Sequence, residues 1–546
     1  MADREREPPL FDRDVAIPMR DGTRLFANVY RGRSTEPRPV ILSVTPYGKD
    51  RAPDRLTAFF MRLSGVRFGH VNPSPLTTFE APDPVRWVGE GYVVVQADVR
   101  GMHRSEGRAG VLRRQDTEDY YDVIEWVGRQ PWSSGRVGLM GVSYLAMGQW
   151  AVAGLRPPHL CAIVPWEGAS DLYRELAFHG GIPETRFVPT WVRMRLRRGR
   201  NRRFPAEEDF LIERDRHPLD DAYWAAKRPA IEAIDVPALV CANWSDHGLH
   251  TRGSIEAFER MPSRRKWLFT HGRKKWETFY GVEAVAFQKR FLDHFLLGID
   301  NGQESVPQVR LEVRTSFYKQ LVRTETTWPL PTAQPATLYL NGAKATLEPD
   351  YPRTDTPVRY RPTVRGEAAR FTRRFEQPIE LVGGMRLKLW IETSEGDDID
   401  LFVVIRKIDA EGREVLFSGY NGFEADAVAK GWLRASHRKL DPMQSSPTRP
   451  WHSHRALEKV RAGEIMPLEI EIWPSATLFE AGTSLQLCVL GQDGAKYPAF
   501  GHTELRNRGL HTIHAGGAYD SHLILPVNVP IGSSDPFGRR RTRATD

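Results

Sequence analysis

A serine, an aspartate and a histidine at the exits of three apolar runs are the residues of this chain that could do chemistry together. Ser143 lies in Arg136-Val137-Gly138-Leu139-Met140-Gly141-Val142-Ser143-Tyr144-Leu145-Ala146, a small-residue strand running into a helix. Such a bend forces the hydroxyl outward, the geometry of a nucleophile elbow, although Leu145 stands where that pattern usually has glycine. Further on, Val236-Pro237-Ala238-Leu239-Val240-Cys241-Ala242 ends at Asn243-Trp244-Ser245-Asp246, and Lys266-Trp267-Leu268-Phe269-Thr270 ends at His271. A serine hydroxyl is a weak nucleophile at its own pKa, so acyl transfer needs an imidazole to take the proton and a carboxylate to fix that imidazole. Ser143, Asp246 and His271 stand in the right order for those roles.

The base is expected at His271 on positional grounds, because it closes the strand after the one that ends at Asp246. Three other histidines compete. His247 adjoins Asp246, so its ring should point away from that carboxylate; His250 stands at the start of the following helix; His103 precedes the nucleophile. Pro39-Val40-Ile41-Leu42-Ser43-Val44-Thr45 reads as a buried strand, which puts Tyr47 on the loop where oxyanion donors are placed beside such an elbow.

These residues need a parallel sheet to bring them to one edge. Tyr92 to Ala97 is another buried strand, and Asp116 or Thr117 can cap a helix through Arg129 before the elbow strand begins. Cys161 to Pro165 and the run from Val236 continue the alternation of strand and helix. Residues 166–235 carry helical periodicity, charges and aromatics without a buried-strand run, as expected of an inserted helical cap. There Trp166 and Tyr173 are candidates to line an acyl pocket, against the alternative that they are core contacts. Gly281 to Leu297 reads as an amphipathic helix. Beyond residue 305 the pattern changes to period two, in Leu387/Leu389/Ile391, Leu401/Val403/Ile405, Leu468/Ile470/Ile472 and Leu485/Leu487/Val489, so residues 306–546 are expected to form an all-β sandwich or jelly roll.

Composition narrows the function classes. The 40% hydrophobic and 27% charged content is that of an ordinary globular chain, with no apolar run of the ~20 residues that span a bilayer. The N-terminus has no signal-peptide character, and a cytoplasmic protein is expected. Cys161, Cys241 and Cys488 are far apart, which implies buried thiols and neither disulfides nor zinc. Net charge of +8 comes with an arginine block at Arg193, Arg195, Arg197, Arg198, Arg200, Arg202 and Arg203 and another at Arg539, Arg540, Arg541 and Arg543. No nucleic-acid-binding motif accompanies them, so they are read as a solvated face and a tail. No metal or organic cofactor is called for. The expected partner is a small ester or amide, with no nucleic acid and no membrane, and homo-oligomerisation stays open.

At this point the chain resembles the α/β-hydrolases of the X-Pro dipeptidyl-peptidase type, which include bacterial cocaine esterase and the α-amino acid ester hydrolases. The resemblance rests on Met19-Arg20-Asp21-Gly22, Pro46-Tyr47, Asp98-Val99-Arg100-Gly101, Gly141-Val142-Ser143-Tyr144-Leu145, Asn243-Trp244-Ser245-Asp246, Gly431-Trp432-Leu433-Arg434-Ala435-Ser436-His437-Arg438, Leu440-Asp441 and Ile472-Trp473-Pro474. It implies an α/β-hydrolase core over 1–165 and 236–305, a helical cap over 166–235 and a C-terminal jelly roll over 306–546. It also implies Ser143 as nucleophile, Asp246 as the orienting acid, and an oxyanion hole made by the Tyr47 hydroxyl and the Tyr144 backbone N–H. Two departures stand out. Ala146 replaces a common glycine, and the Gly-Pro-Trp-x-His segment that usually carries the histidine is replaced by Phe269-Thr270-His271-Gly272-Arg273-Lys274-Lys275-Trp276. The expected activity is ester hydrolysis through an acyl-enzyme. X-Pro peptidase or acylase activity is an alternative, as is a non-catalytic protein that binds a glycan or small ligand.

Overall fold

The computed structural model describes residues 8–50, 73–420, 425–494 and 498–528. The C-terminal arginines and most of the proline-rich segment after Arg51 lie outside them. The chain divides into two compact units. The first takes residues up to Ala177, Arg186–Leu311 and Tyr420; the second takes Phe178–Thr185, Glu312–Gly419 and the described residues beyond Glu424.

The first unit is built on a mostly parallel sheet. Its strands are β1 (Leu10–Pro18), β2 (Arg24–Arg31), β3 (Arg38–Thr45), β4 (Val93–Asp98), β5 (Ser133–Val142), β6 (Leu160–Trp166), β7 (Ala238–Asn243), β8 (Lys266–His271) and the start of β9 (Val309–Ser316), which belongs to this unit only as far as Leu311. β1 and β2 pair antiparallel, as do β2 and β4. From β4 the order runs β3, β5, β6, β7, β8, β9, all parallel. Val-Val-Val-Gln-Ala-Asp in β4 and Ala-Leu-Val-Cys-Ala-Asn in β7 are buried along their whole length, as apolar runs covered on both faces must be. β4 and β5 flank β3 on opposite sides, so the chain reverses direction of travel across the sheet there. Ligand sites of open parallel sheets form beyond the carboxyl ends of the strands at such a reversal.

Three helices hold the strand exits in place. α1 (Arg114–Gly128) begins earlier than the capping residues alone suggest, because Asp116 sits at its third position and accepts the Arg113 backbone N–H at 2.9 Å. α2 (Tyr144–Ala153) follows the elbow, and α3 (Thr251–Arg260) follows the loop after β7. α4 (Lys275–Phe279) and α5 (Val282–Leu292) complete the first unit, with Ala284, Phe291 and Leu292 in its hydrophobic core. The segment over 166–235 is helical only in short pieces, among them Tyr173–Ala177, Phe187–Trp191 and Phe210–Arg216. It also holds a strand pair, Phe178–His179 with Ile182–Pro183, too short to show a period in the sequence; this pair belongs to the second unit.

In the second unit the period-two runs face one another. Ile379–Thr393 pairs antiparallel with Met466–Phe479, which sets Leu387 opposite Ile470, Leu389 opposite Leu468 and Ile391 opposite Met466, all buried. Asp400–Ile408 pairs with Ala429–Arg434 on one side and Ser484–Leu490 on the other. Fully burying each such side chain contributes about 1.5–3 kcal/mol. All three cysteines are free thiols, Cys241 and Cys488 buried and Cys161 half-buried. Among the described residues no helix is long and apolar enough to cross a membrane.

Candidate active site

Ser143 occupies the turn between β5 and α2 with φ 61° and ψ −116°, a left-handed conformation that a non-glycine residue adopts at a cost of about 1–3 kcal/mol. Its neighbours hold it there. The Ser143 N–H donates to the Trp166 carbonyl at the end of β6, and the Val142 N–H donates to the Glu80 carbonyl, both at 3.0 Å. A Cβ on Gly141 would lie 2.6 Å from Leu145 Cβ, so the elbow needs glycine before the serine and accepts leucine after it.

Asp246 follows β7, where the Asn243 side-chain oxygen accepts the Ser245 N–H at 2.8 Å. Gly248, at φ 113°, then turns the chain so that His250 comes back over Asp246 and precedes α3 as its N-cap. His250 Nδ1 donates a short hydrogen bond to Asp246 Oδ2, and Nε2 lies 3.1 Å from Ser143 Oγ. A carboxylate only accepts, so the proton belongs on Nδ1 and the Nε2 lone pair faces the serine hydroxyl. All three side chains are buried, Ser143 retaining 6% exposure and His250 none. Burial holds the His250 imidazole below its ordinary pKa, with the Asp246 charge opposing. Burial alone would raise the Asp246 carboxyl, but the charge and hydrogen bond of His250 bring it below the usual range.

The contact expected of His271 is therefore made by His250. His271 does close β8, but both of its ring nitrogens are engaged elsewhere: Nε2 lies 2.9 Å from Glu167 Oε1, and Nδ1 accepts the Arg273 backbone N–H at 3.2 Å. The Asp246-x-Gly248-x-His250 spacing is the signal that could have found the contact, since a tight turn brings residues four apart together.

Tyr47 sits on the loop after β3 and is 8% exposed. The Trp191 indole N–H donates to its hydroxyl oxygen at 3.2 Å, which leaves the phenol hydrogen to be donated onward. Burial, then the Glu80 charge, keeps this phenol protonated far above its ordinary pKa. Tyr144 is the first residue of α2, where backbone N–H groups have no partner within the helix. The two candidates for a pocket lining, Trp166 and Tyr173, both make the packing contacts of the alternative reading. The Trp166 ring packs on Phe269 and Phe279 with centroids 5.2 and 5.7 Å away. The Tyr173 ring packs on Trp224, and its hydroxyl donates to the Pro218 carbonyl at 2.9 Å.

Buried charged residues that no sequence motif marks lie close to this group. Glu167 follows β6 with φ 55°, and its Oε2 accepts from Asn243 Nδ2 at 2.8 Å. Lys275 Nζ pairs with Glu80 Oε1 at 3.2 Å, both side chains buried, and lies 5.2 Å from the centre of the Tyr420 ring. Among the described residues, potential metal-donor atoms come within 4.8 Å of one another in two groups, Glu167 with Cys241 and His271, and Glu167 with Asp246 and His250. In both groups the ring nitrogens already serve the hydrogen bonds described above, so we read them as hydrogen-bonded pairs. The seven residues of the Arg193–Arg203 block are exposed, and Arg197 pairs with Asp209 at 2.7 Å.

The family model for X-Pro dipeptidyl-peptidase (S15 family) matches residues 21–274, and that for the X-Pro dipeptidyl-peptidase C-terminal non-catalytic domain matches residues 301–524. The crystal structure of a CocE/NonD family hydrolase from Staphylococcus aureus is similar over 96% of this chain and 94% of that one, with 40% identity and a TM-score of 0.92. Cocaine esterase from Rhodococcus sp. is 24% identical over 94% of this chain and 98% of its own length. An α-amino acid ester hydrolase shares the fold at 17% identity, with a TM-score of 0.73 over 96% of this chain and 98% of that one.

Proposed function

Because the chain belongs to the CocE/NonD family of hydrolases, we propose that Ser143, His250 and Asp246 form a triad that hydrolyses a carboxylic ester through an acyl-enzyme. The observation that carries this reading is the unbroken chain from Ser143 Oγ through both nitrogens of His250 to Asp246. His250 Nε2 takes the hydroxyl proton as Ser143 Oγ attacks the ester carbonyl. Asp246 holds the imidazole in the reactive tautomer and stabilises the imidazolium that forms. The Tyr47 hydroxyl and the Tyr144 N–H are the donors for the oxyanion, and preorganised donors of this kind act mainly on the transition state. His250 then returns the proton to the leaving alcohol, and a water activated by the same nitrogen releases the acid.

Ester is preferred to amide because cocaine esterase, named for an ester substrate, is matched over nearly its whole length. The second unit is then a jelly-roll companion, in keeping with its match to the X-Pro dipeptidyl-peptidase C-terminal non-catalytic domain.

A fluorophosphonate probe tests the assignment. The wild-type protein should be labelled and Ser143→Ala should not, with turnover of aryl esters lost on the order of 10⁶-fold and the substrate still bound. Absence of labelling in the folded wild-type protein, or wild-type-like turnover in Ser143→Ala, would overturn it. Amino acid esters and X-Pro amides assayed beside aryl esters report the preferred bond.

A further inference from the structure

Behind the triad lies a second buried histidine–carboxyl pair that the mechanism above does not use. Glu167 is fully buried, and its carboxyl comes within 4.8 Å of donor atoms of both Asp246 and His250. Its two oxygens are fixed by His271 Nε2 at 2.9 Å and Asn243 Nδ2 at 2.8 Å. The tautomer of His271 follows from its other nitrogen. The Arg273 backbone N–H can only donate, so Nδ1 is the acceptor, Nε2 carries the hydrogen, and the imidazole is neutral. His271 thus brings no positive charge to balance an ionised Glu167. Asp246 Oδ1 is buried with no hydrogen-bond partner among the described residues. Two carboxylates this close and this dry do not both ionise without penalty.

We propose that Glu167 is a positioning residue that holds a proton while Asp246 is ionised, so that a single negative charge faces His250. This rests on the reading of Ser143, His250 and Asp246 as the catalytic group. A second anion here would raise the His250 pKa and keep the base protonated further into the neutral range; the held proton prevents that. The surroundings agree. Burial first, then the Asp246 charge, pushes the Glu167 carboxyl up to about 8. The other charged and titratable groups facing it are Cys241 on β7, His271 on β8, Lys275 on α4, Glu80 before α1, and Tyr420. Lys274 lies close enough to act on Asp246. The Lys275 charge and the Asn243 hydrogen bond favour the ionised form of Glu167 and work against the held proton, but the direct ion pair of Lys275 is with Glu80.

The test is E167Q, with Glu167→Met as a second uncharged variant, read by thermal unfolding and by the pH profile of kcat/KM. Between the ordinary carboxyl value of 4.5 and about 8 the native state holds a proton that the unfolded state has lost, so wild-type stability falls as pH rises across that window. The Tm of an uncharged variant relative to wild type should therefore climb from pH 5 to pH 8, whatever its starting offset. In the rate profile the acid limb should stay in place, and a break near pH 8, where Glu167 ionises, should appear in the wild type and vanish in the variant. If Glu167 is instead charged at neutral pH, E167Q removes an anion beside His250, and the acid limb moves down by about one to three units. That shift, a Tm difference that falls with pH, identical rate profiles, or failure of both uncharged variants to fold would overturn the proposal. The thermal readout does not depend on which bond the enzyme cleaves, so it separates this inference from the functional reading.

Discussion

Two buried imidazole–carboxyl pairs sit side by side in the first unit and differ in what the second ring nitrogen meets. His250 gives Nδ1 to Asp246 and leaves Nε2 at 3.1 Å from Ser143 Oγ. His271 gives Nε2 to Glu167, and its Nδ1 is closed by the Arg273 N–H, with Thr278 Oγ1 also 3.2 Å away. Residue types and burial are nearly the same. Chemistry follows from the unclosed nitrogen: a histidine with both nitrogens spent is a strut, whereas one with a lone pair facing a strained serine can act as a base.

The first way to sharpen this contrast is Asp246→Asn. It keeps the shape of the loop but removes the charge that fixes the His250 tautomer, and kcat should fall about 10⁴-fold. Circular dichroism should show an intact fold, and a loss below about tenfold would mean that Asp246 is no more than a loop contact. A smaller effect is expected at Tyr47→Phe, where losing one oxyanion donor should lower kcat by about 10²–10³ with little change in KM. An effect confined to KM would return Tyr47 to packing against Phe79 and Tyr144.

Much of the scaffold was legible because its signals are local. Buried runs such as Val93–Asp98 and Ala238–Asn243 show their strands directly, and the Gly141-x-Ser143 turn needs only its own neighbours. The placement of Asp246 at a strand exit was legible for the same reason. His250 was not, because its position depends on the left-handed turn at Gly248 that folds the loop back on itself. The end of a strand fixes where the His271 ring starts but not which way it turns. It turned toward Glu167, whose own left-handed backbone no sequence pattern announces. The aromatic residues of the inserted segment carry the same ambiguity: Trp166 and Tyr173 have the composition of a pocket lining and the contacts of a core.

The most direct test of the central claim is the fluorophosphonate labelling rate of His250→Ala and His271→Ala, measured side by side on protein shown to be folded by circular dichroism. Removing the base should slow labelling of Ser143 and abolish ester turnover in His250→Ala to the level of Ser143→Ala, with the double variant no worse. His271→Ala should still label and turn over, at a rate set by whatever loosening of Glu167 it causes. A folded His271→Ala protein as dead as Ser143→Ala, beside a His250→Ala protein that retains turnover, would contradict the account.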